Sequence, residues 1–137
     1  DFVCKALDGK NDFALFDDIP ENPTIAGVEA ALEIYRSEGC DGIVALGGGS
    51  VLDSGKALRV AATHNTPIID FLKDPRKITK HVAPYITIPT TAGTGAEITF
   101  GGGIHPENNP HECDARLGFA LGQRRFHRRG SAISGKE

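Results

Sequence analysis

The alternation of apolar and polar residues predicts a strand, a helix and a second strand in the first part of the chain. The apolar run 13–16 (Phe-Ala-Leu-Phe) stops at two aspartates, which is typical of a buried strand and its exit. Apolar residues then recur at helical spacing across 25–37, with Thr24 as a good N-cap and Gly39 as the helix terminator. The continuous apolar run 42–46 indicates a parallel strand covered on both faces.

A second helix and a third strand follow. Three glycines end the run 42–46, and Ser50 opens a helix that continues to about Ala62. The next predicted strand is 85–89, and a loop of small residues, 90–95, comes directly after it. Alternating strands and helices predict a parallel α/β sheet with right-handed crossovers. Ligands of such sheets bind at the carboxyl ends of the strands, so both small-residue loops are expected beside a phosphate-bearing cofactor.

The pattern weakens after Thr99. Residues 100–107 are compatible with a weak strand and turn, and no sustained period of 2 or 3.6 follows from about Asn109. Five of the eight arginines (116, 124, 125, 128, 129) and three of the five histidines (105, 111, 127) lie in the last 38 residues. We therefore expect one domain over 1–109 and a disordered or non-homologous tail over 110–137, as a chain continued in the wrong reading frame would have.

Composition narrows the class of protein. A length of 137 residues suits one domain, and 39% hydrophobic with 24% charged residues is typical of a soluble globular chain. A net charge of −3 gives no indication of a nucleic-acid or anionic-membrane partner. The start resembles no signal peptide, and a chain without methionine is expected to lack its natural start. Cys4, Cys40 and Cys113 share no C-x-x-C spacing, which predicts reduced thiols in a cytosolic protein.

The segment Gly47-Gly48-Gly49-Ser50-x-x-Asp53-x-x-Lys56 is a candidate phosphate site. It begins where a strand ends and a helix starts, and a helix N-terminus offers unpaired N–H groups and partial positive charge. Ser50 with Asp53 also resembles a capping box. Leu52 replaces the third glycine of G-x-G-x-x-G, and Lys56 lies too far along for a Walker loop. A glycine-rich helix start without a ligand is the alternative.

The segment 89–97 (Pro-Thr-Thr-Ala-Gly-Thr-Gly-Ala-Glu) follows the next strand. Threonine hydroxyls and small residues at a strand's carboxyl end can line a nucleotide pocket without blocking it. A polar turn is the alternative for this loop alone. Two such loops on neighbouring strands favour a nucleotide site.

Together with Asn22-Pro23-Thr24, these two segments resemble the iron-containing (group III) NAD(P)-dependent alcohol dehydrogenases. The resemblance covers about residues 10–99 and, loosely, continues to 109. It implies an α/β fold with a Rossmann-like, dehydroquinate synthase-like parallel sheet and flanking helices. That domain is expected to be incomplete at both ends, and the helical metal-binding domain of the family to be absent.

The resemblance also implies roles for individual residues. The cofactor-binding set takes members from all three motifs: Asn22, Gly47, Gly48, Gly49, Ser50, Asp53, Lys56, Thr90, Thr91 and Thr94. By resemblance, Gly48, Gly49 and Ser50 hold the pyrophosphate and Gly47 shapes the turn. Asn22 lies beside the adenosine half of the cofactor. Thr90 and Thr91 contact the cofactor, with Thr94 close by. Asp53 lies near the nicotinamide side of the cleft, and Lys56 braces the loop.

The family resemblance implies the chemistry of a longer protein. A divalent metal, iron or sometimes zinc, binds the substrate oxygen as a Lewis acid, and hydride passes to NAD or NADP. An Asp and three His of the downstream helical domain hold that metal, so we expect no catalytic residue and no metal ligand in this chain, and no activity from it alone. An earlier strand of the family, whose acidic end helps choose NAD over NADP, is also expected to be absent. The parent is expected to be a cytoplasmic homo-oligomer acting on a small alcohol or aldehyde, with no nucleic-acid or membrane partner.

Several alternatives remain open. A relative such as glycerol dehydrogenase, maleylacetate reductase or dehydroquinate synthase is a second enzyme hypothesis, and a non-catalytic truncated nucleotide-binding fragment is a third. The tail holds possible zinc donors and a basic cluster that could bind nucleic acid or acidic lipid, namely His105, His111, Cys113, Asp114, His127 and Arg124–Arg129. We interpret both as accidents of composition in a solvated tail. His64 and His81 are predicted to lie on the surface.

Overall fold

The structure, a computed structural model, describes residues 2–8, 12–64, 66–79, 81–99 and 101–105. Its helices are α1 (Phe2–Leu7), α2 (Ile25–Ser37), α3 (Gly49–Thr63) and α4 (Ile68–Lys73), its strands are β1 (Ile43–Gly47) and β2 (Tyr85–Pro89), and a 3-10 turn covers Pro75–Lys77. The predicted tail, its possible zinc donors His111, Cys113, Asp114 and His127 and its basic cluster Arg124–Arg129 lie outside the described residues.

The two strands form a parallel pair, which confirms the predicted α/β class. Their register runs from Ile43 opposite Tyr85 to Gly47 opposite Pro89. Helices α3 and α4 lie in the connection between them. Because the strands are parallel and end in register, the loops that follow them start at the same edge of the sheet. The sheet thus brings the two candidate motifs side by side.

Helix α2 begins and ends where the sequence predicts. Thr24 has an extended backbone, and its Oγ1 accepts a hydrogen bond from Gly27 N at 3.1 Å, so it is the N-cap. Past the last turn, Gly39 has φ 67°, a left-handed conformation that favours glycine and stops the helix. Local chemistry therefore fixes both ends of this helix.

Helix α3 lies at the centre of the core. Its residues Ala57, Val60 and Ala61 pack with apolar side chains from α2, from α4 and from the segment 101–105, namely Val28, Ile68, Phe71, Leu72 and Ile104. A second buried cluster joins Ala45 of β1, Leu52 of α3 and Ala96 in the loop after β2. That loop is thus anchored to the sheet and to α3 by apolar burial.

The predicted strand at 13–16 is wrong. Residues 12–20 have no regular secondary structure, and Leu15 is 64% exposed. A cavity of about 600 Å³ is lined by residues of this segment and of β1. Within the described residues β1 pairs only with β2, so no neighbouring strand is present to accept the backbone hydrogen bonds of 13–16.

Burial on both faces of β1 is also contradicted. Ala45 is buried, whereas Val44 and Leu46 are 41% and 38% exposed. Successive side chains of a strand point to opposite faces, and of the described helices α3 is the one with substantial contact to β1. Only the face that carries Ala45 is covered by the described part of the chain.

Two short helices and the burial of the His64 ring were not predicted from the sequence. Helices α1 and α4 were not predicted. A weak strand was expected near 100–107; of those residues the structure describes 101–105, where a single bridge joins Thr24 to His105. His64 is 5% exposed rather than on the surface, because the last turn of α3 directs its ring against Phe71, with ring centroids 4.9 Å apart. His81 is exposed, as predicted.

Two further observations bear on the class of protein. No helix in the described ranges is long and apolar enough to cross a membrane. Cys4 and Cys40 are not joined to each other by a disulfide, and their redox state stays a prediction. Cys113 lies outside the described residues.

Candidate cofactor-binding site

The glycine loop, residues 47–49, turns the chain from β1 into α3. Gly48 is the N-cap, with φ −79° and ψ −172° and no side-chain cap, and its carbonyl accepts the first helical hydrogen bond from Leu52 N at 3.1 Å. The amides of Gly49, Ser50 and Val51 therefore occupy the first turn, where N–H groups have no partner within the helix. Such a terminus carries partial positive charge and suits a phosphate.

The predicted capping box of Ser50 and Asp53 is wrong. Because Gly48 is the N-cap, Ser50 lies inside the first turn, and its hydroxyl donates to the carbonyl of Glu21. Asp53 accepts from Lys56 and from Gly103 N instead. The Ser50 bond ties the glycine loop to the residue before Asn22, which is itself exposed. The structure thus brings the Asn22 motif to the glycine loop.

The threonine loop, residues 90–95, follows β2. Thr90 N donates to Gly47 O at 2.9 Å, which continues the pairing of the two strands by one step. Gly93 and Gly95 have φ 120° and 62°, values that favour glycine. All the threonines of this loop are exposed, whereas Ala96 beyond it is buried at 4%. The loop is held at both ends, and its threonines are exposed, with Thr94 Oγ1 also accepting from Ala96 N at 3.3 Å.

The glycine and threonine loops contact each other. A Cβ atom added at Gly48 would lie 3.3 Å from Thr91 Oγ1, and one at Gly49 would lie 3.2 Å from Thr94 Cγ2. At Gly47 an added Cβ would lie 2.6 Å from Val51 Cγ2, which is sterically impossible without a shift. The glycines therefore allow both the tight turn into α3 and the close approach of the threonine loop.

Asp53 and Lys56 form an ion pair on α3, with Lys56 Nζ 2.9 Å from Asp53 Oδ1. The same ammonium donates to Thr99 Oγ1 at 3.0 Å and to Gly101 O at 2.6 Å, and Lys56 is 4% exposed. Asp53 Oδ2 accepts from Gly103 N at 3.0 Å. Lys56 therefore braces the chain that follows the threonine loop. The placement of Asp53 near a nicotinamide stays a prediction.

Sequence reasoning missed Tyr85 and Arg59. Tyr85 Oη donates to Leu52 O at 2.6 Å, under the turn that opens α3. Burial raises the pKa of Tyr85; Asp53 raises it further, and Arg59 opposes both. Burial lowers the pKa of Arg59, which lies 5.5 Å from the centre of the Tyr85 ring and donates to Ala83 O at 3.0 Å. The sequence signal that could have indicated this contact was Gly55, a glycine in the middle of α3, because the Tyr85 ring crosses the helix there.

The described residues do not fit a metal ion. No group of three or more His, Cys, Asp or Glu side chains that could hold one occurs in the part of the chain that the structure covers. We therefore assign no metal-dependent step to these residues.

Known proteins resemble this chain in sequence. It is 44% identical to the 4-hydroxybutyrate dehydrogenase of Cupriavidus necator over 91 residues, which are 64% of this chain and 24% of that protein. It is 39% identical to the 1,3-propanediol dehydrogenase of Citrobacter freundii over 88 residues, 64% of this chain and 22% of that protein. The chain thus spans about a quarter of the length of these relatives.

Solved structures agree with the sequence matches. An iron-containing alcohol dehydrogenase from Thermotoga maritima matches with a TM-score of 0.62 and 39% identity, over 69% of this chain and 26% of that one. A sulfoacetaldehyde reductase from Bifidobacterium kashiwanohense, solved in complex with NAD⁺, matches with a TM-score of 0.66 and 33% identity, over 77% of this chain and 28% of that one. The observed sheet and helices are thus part of a Rossmann-like domain.

The model of one family, the iron-containing alcohol dehydrogenases, matches residues 1–116. This match extends past the domain boundary predicted at residue 109, and the division at that point stays a prediction. The chain belongs to the iron-containing alcohol dehydrogenase family.

Proposed function

We propose that this chain is the cofactor-binding part of a dehydrogenase, which transfers hydride between a small alcohol and NAD or NADP. The observation that carries the proposal is the contact between the glycine loop and the threonine loop at the N-terminus of α3. First-turn amides, exposed threonine hydroxyls and a nearby exposed Asn22 face one edge of the sheet, where parallel sheets bind nucleotides. The NAD⁺ in the related sulfoacetaldehyde reductase structure supports this choice of ligand.

The residues on this edge bind and orient rather than react. The amides of Gly49, Ser50 and Val51 are the donors for a pyrophosphate oxygen, and the glycines leave room for its approach. Thr91 and Thr94, packed on the glycine loop, would supply hydroxyls beside these amides. When bound, the nicotinamide ring supplies the hydride chemistry.

The substrate class is proposed from the relatives. Their names denote dehydrogenases of 4-hydroxybutyrate and 1,3-propanediol, so the proposed substrate is a small alcohol or the matching aldehyde. The chain spans about a quarter of the length of its relatives, and the described residues do not fit the iron or zinc of the family, so we expect this chain to bind cofactor without turnover. A related glycerol dehydrogenase or maleylacetate reductase remains the alternative enzyme, and a non-catalytic nucleotide-binding fragment the alternative from another class.

Isothermal titration calorimetry of the purified chain with NADH tests the proposal. We expect saturable binding, and a loss of about tenfold or more in affinity for Gly48→Val, because its side chain displaces Thr91 and crowds the first-turn amides. Gly42→Val is the matched control, since an added Cβ there meets only Pro84 at 3.7 Å and 3.8 Å. A wild-type chain that is folded by circular dichroism and releases no heat with NADH would contradict the proposal, as would equal binding by Gly48→Val.

A further inference from the structure

The ammonium group of Lys56 is buried and fully bonded. Its three acceptors are a carboxylate on its own helix, Asp53 Oδ1 at 2.9 Å, and two groups of the chain beyond the threonine loop, Thr99 Oγ1 at 3.0 Å and Gly101 O at 2.6 Å. A lysine ammonium has three N–H donors, so each has an acceptor. A buried charge is tolerated only when paired and hydrogen-bonded in this way, which fixes its partners in place.

Asp53 completes the arrangement with its second oxygen. Oδ2 accepts from Gly103 N at 3.0 Å, so both carboxylate oxygens hold partners. A Cβ added at Gly102 would lie 3.3 Å from Asp53 Cβ, which shows that the backbone there runs directly against α3. We call these two α3 residues and their partners the clasp: Asp53, Lys56, Thr99, Gly101 and Gly103.

The clasp connects the threonine loop to the Asn22 motif. Upstream, the amides of Ile98 and Thr99 both donate to Gly95 O at 3.0 Å, so the clasp continues directly from the end of the threonine loop. Downstream, His105 N donates to Pro23 O at 2.8 Å and Ile25 N donates to His105 O at 3.2 Å. The chain thus passes from one cofactor-binding motif to another across Lys56.

We propose that Lys56 is a positioning residue for cofactor binding, which holds the threonine loop on the glycine loop through the clasp. This inference rests on the function proposed above. Gly93 and Gly95 give the loop its turns, and the side-chain bond described within it runs from Ala96 N to Thr94 Oγ1 at 3.3 Å. One end is fixed by the bond from Thr90 N to Gly47 O; at the other end Ala96 is buried, and the clasp holds the chain directly beyond it against α3. The three acceptors of the Lys56 ammonium all belong to the clasp, so its proposed role is positioning.

Hydrogen–deuterium exchange of the ligand-free chain tests the clasp directly. In Lys56→Met we expect the amides of Gly103, His105 and Ile25 to exchange about tenfold faster or more, because their segment is no longer held against α3. Thr99→Val removes one acceptor from an exposed residue and is expected to act in the same direction, less strongly. Matched controls are Lys73→Met and Thr79→Val, both at exposed positions outside the clasp.

Calorimetry with two ligands separates positioning from a general loss of fold. In Lys56→Met the affinity for NADH should fall about tenfold, and the affinity for ADP should fall by less than about threefold. ADP is affected less because it does not extend to the nicotinamide side. The bond from Ser50 to Glu21 also still holds the Asn22 motif at the glycine loop. Equal weakening of both ligands would indicate partial unfolding and would overturn the positioning role. Unchanged NADH affinity with protected amides would overturn the role of Lys56. A folded wild-type chain that does not bind NADH would instead overturn the proposed function and with it the cofactor role of Lys56; the exchange data would still decide whether the clasp holds the segment.

Discussion

Tyr85 and Gly55 show how a single contact fixes the position of α3 over the sheet. A Cβ added at Gly55 would lie 2.6 Å from Tyr85 Oη, so the ring can cross the helix only where no side chain exists. The hydroxyl then reaches Leu52 O at 2.6 Å, three residues earlier on the helix. This contact supports the first turns of α3 from below, and the glycine loop begins directly before them.

The hydroxyl of Tyr85 makes stability fall in alkaline solution. Its pKa is raised from an ordinary value of 10.0, first by burial and then by Asp53. A raised folded-state pKa means that the stabilisation is complete below about pH 10 and is lost as the pH rises towards the folded-state pKa, by up to about 1.4 kcal/mol per pH unit. Tyr85→Phe should cost about 1 kcal/mol at pH 8 through the lost hydrogen bond.

The measurement is urea unfolding of the wild type and Tyr85→Phe at pH 8 and at about pH 11. We expect the difference in the free energy of unfolding to shrink at the higher pH, because only the wild type must keep the Tyr85 hydroxyl protonated. Tyr35, whose pKa is also raised mainly by burial, is present in both proteins and cancels. A difference that stays constant between the two pH values would refute the prediction.

Residues with local partners were predictable, and residues with distant partners were not. Thr24 caps α2 by accepting from an amide three residues away, and Gly39 ends the same helix, so neighbouring sequence is enough. Lys56 meets Thr99 and Gly101, more than 40 residues away, and His64 meets Phe71 only because α4 folds back. The sequence pattern therefore placed Lys56 in a motif without revealing what it holds.

The start of α2 matters at the scale of the element, because two motifs meet there. Thr24 Oγ1 caps the helix, while the flanking backbone groups of Pro23 and Ile25 bond to His105. Thr24→Ala should lower the free energy of unfolding by about 1 kcal/mol through loss of the cap alone. Urea unfolding followed by circular dichroism measures it. Thr24→Ser keeps an acceptor at the same place and should stay within about 0.5 kcal/mol of the wild type; an equal loss in both variants would show that the hydroxyl is not the cause.

Helices and strands were predicted where the sequence shows a clear hydrophobic pattern, and a helix too short to show one was missed. The 13 residues of α2 and the strands β1 and β2 carry clear patterns and were placed correctly. Helix α4 has six residues, too few to show a helical period, and was missed. The run 13–16 has a strand pattern, but a strand needs a neighbour to pair with, and pattern alone does not supply one.

The two-stranded sheet has consequences for the whole molecule. Helix α3 packs on the face that carries Ala45, and the opposite side of the sheet presents apolar side chains, with Val44 41%, Leu46 38% and Ile86 45% exposed. Parallel sheets are normally covered on both faces. The described part of the chain therefore carries an apolar patch where its larger relatives have further chain available to cover it.

This patch should bind an apolar dye. We expect the purified chain to enhance the fluorescence of anilinonaphthalene sulfonate, and Ile86→Thr to reduce that enhancement by about half, because it replaces one of three patch side chains with a polar residue that suits a strand. Ile98→Thr is the matched control: Ile98 is 76% exposed but lies in the loop after β2, so its loss should change the signal little. Circular dichroism of both variants verifies that the fold is kept. Equal reductions by the two variants would mean that dye binding reports general exposure, and that the sheet face is covered in solution.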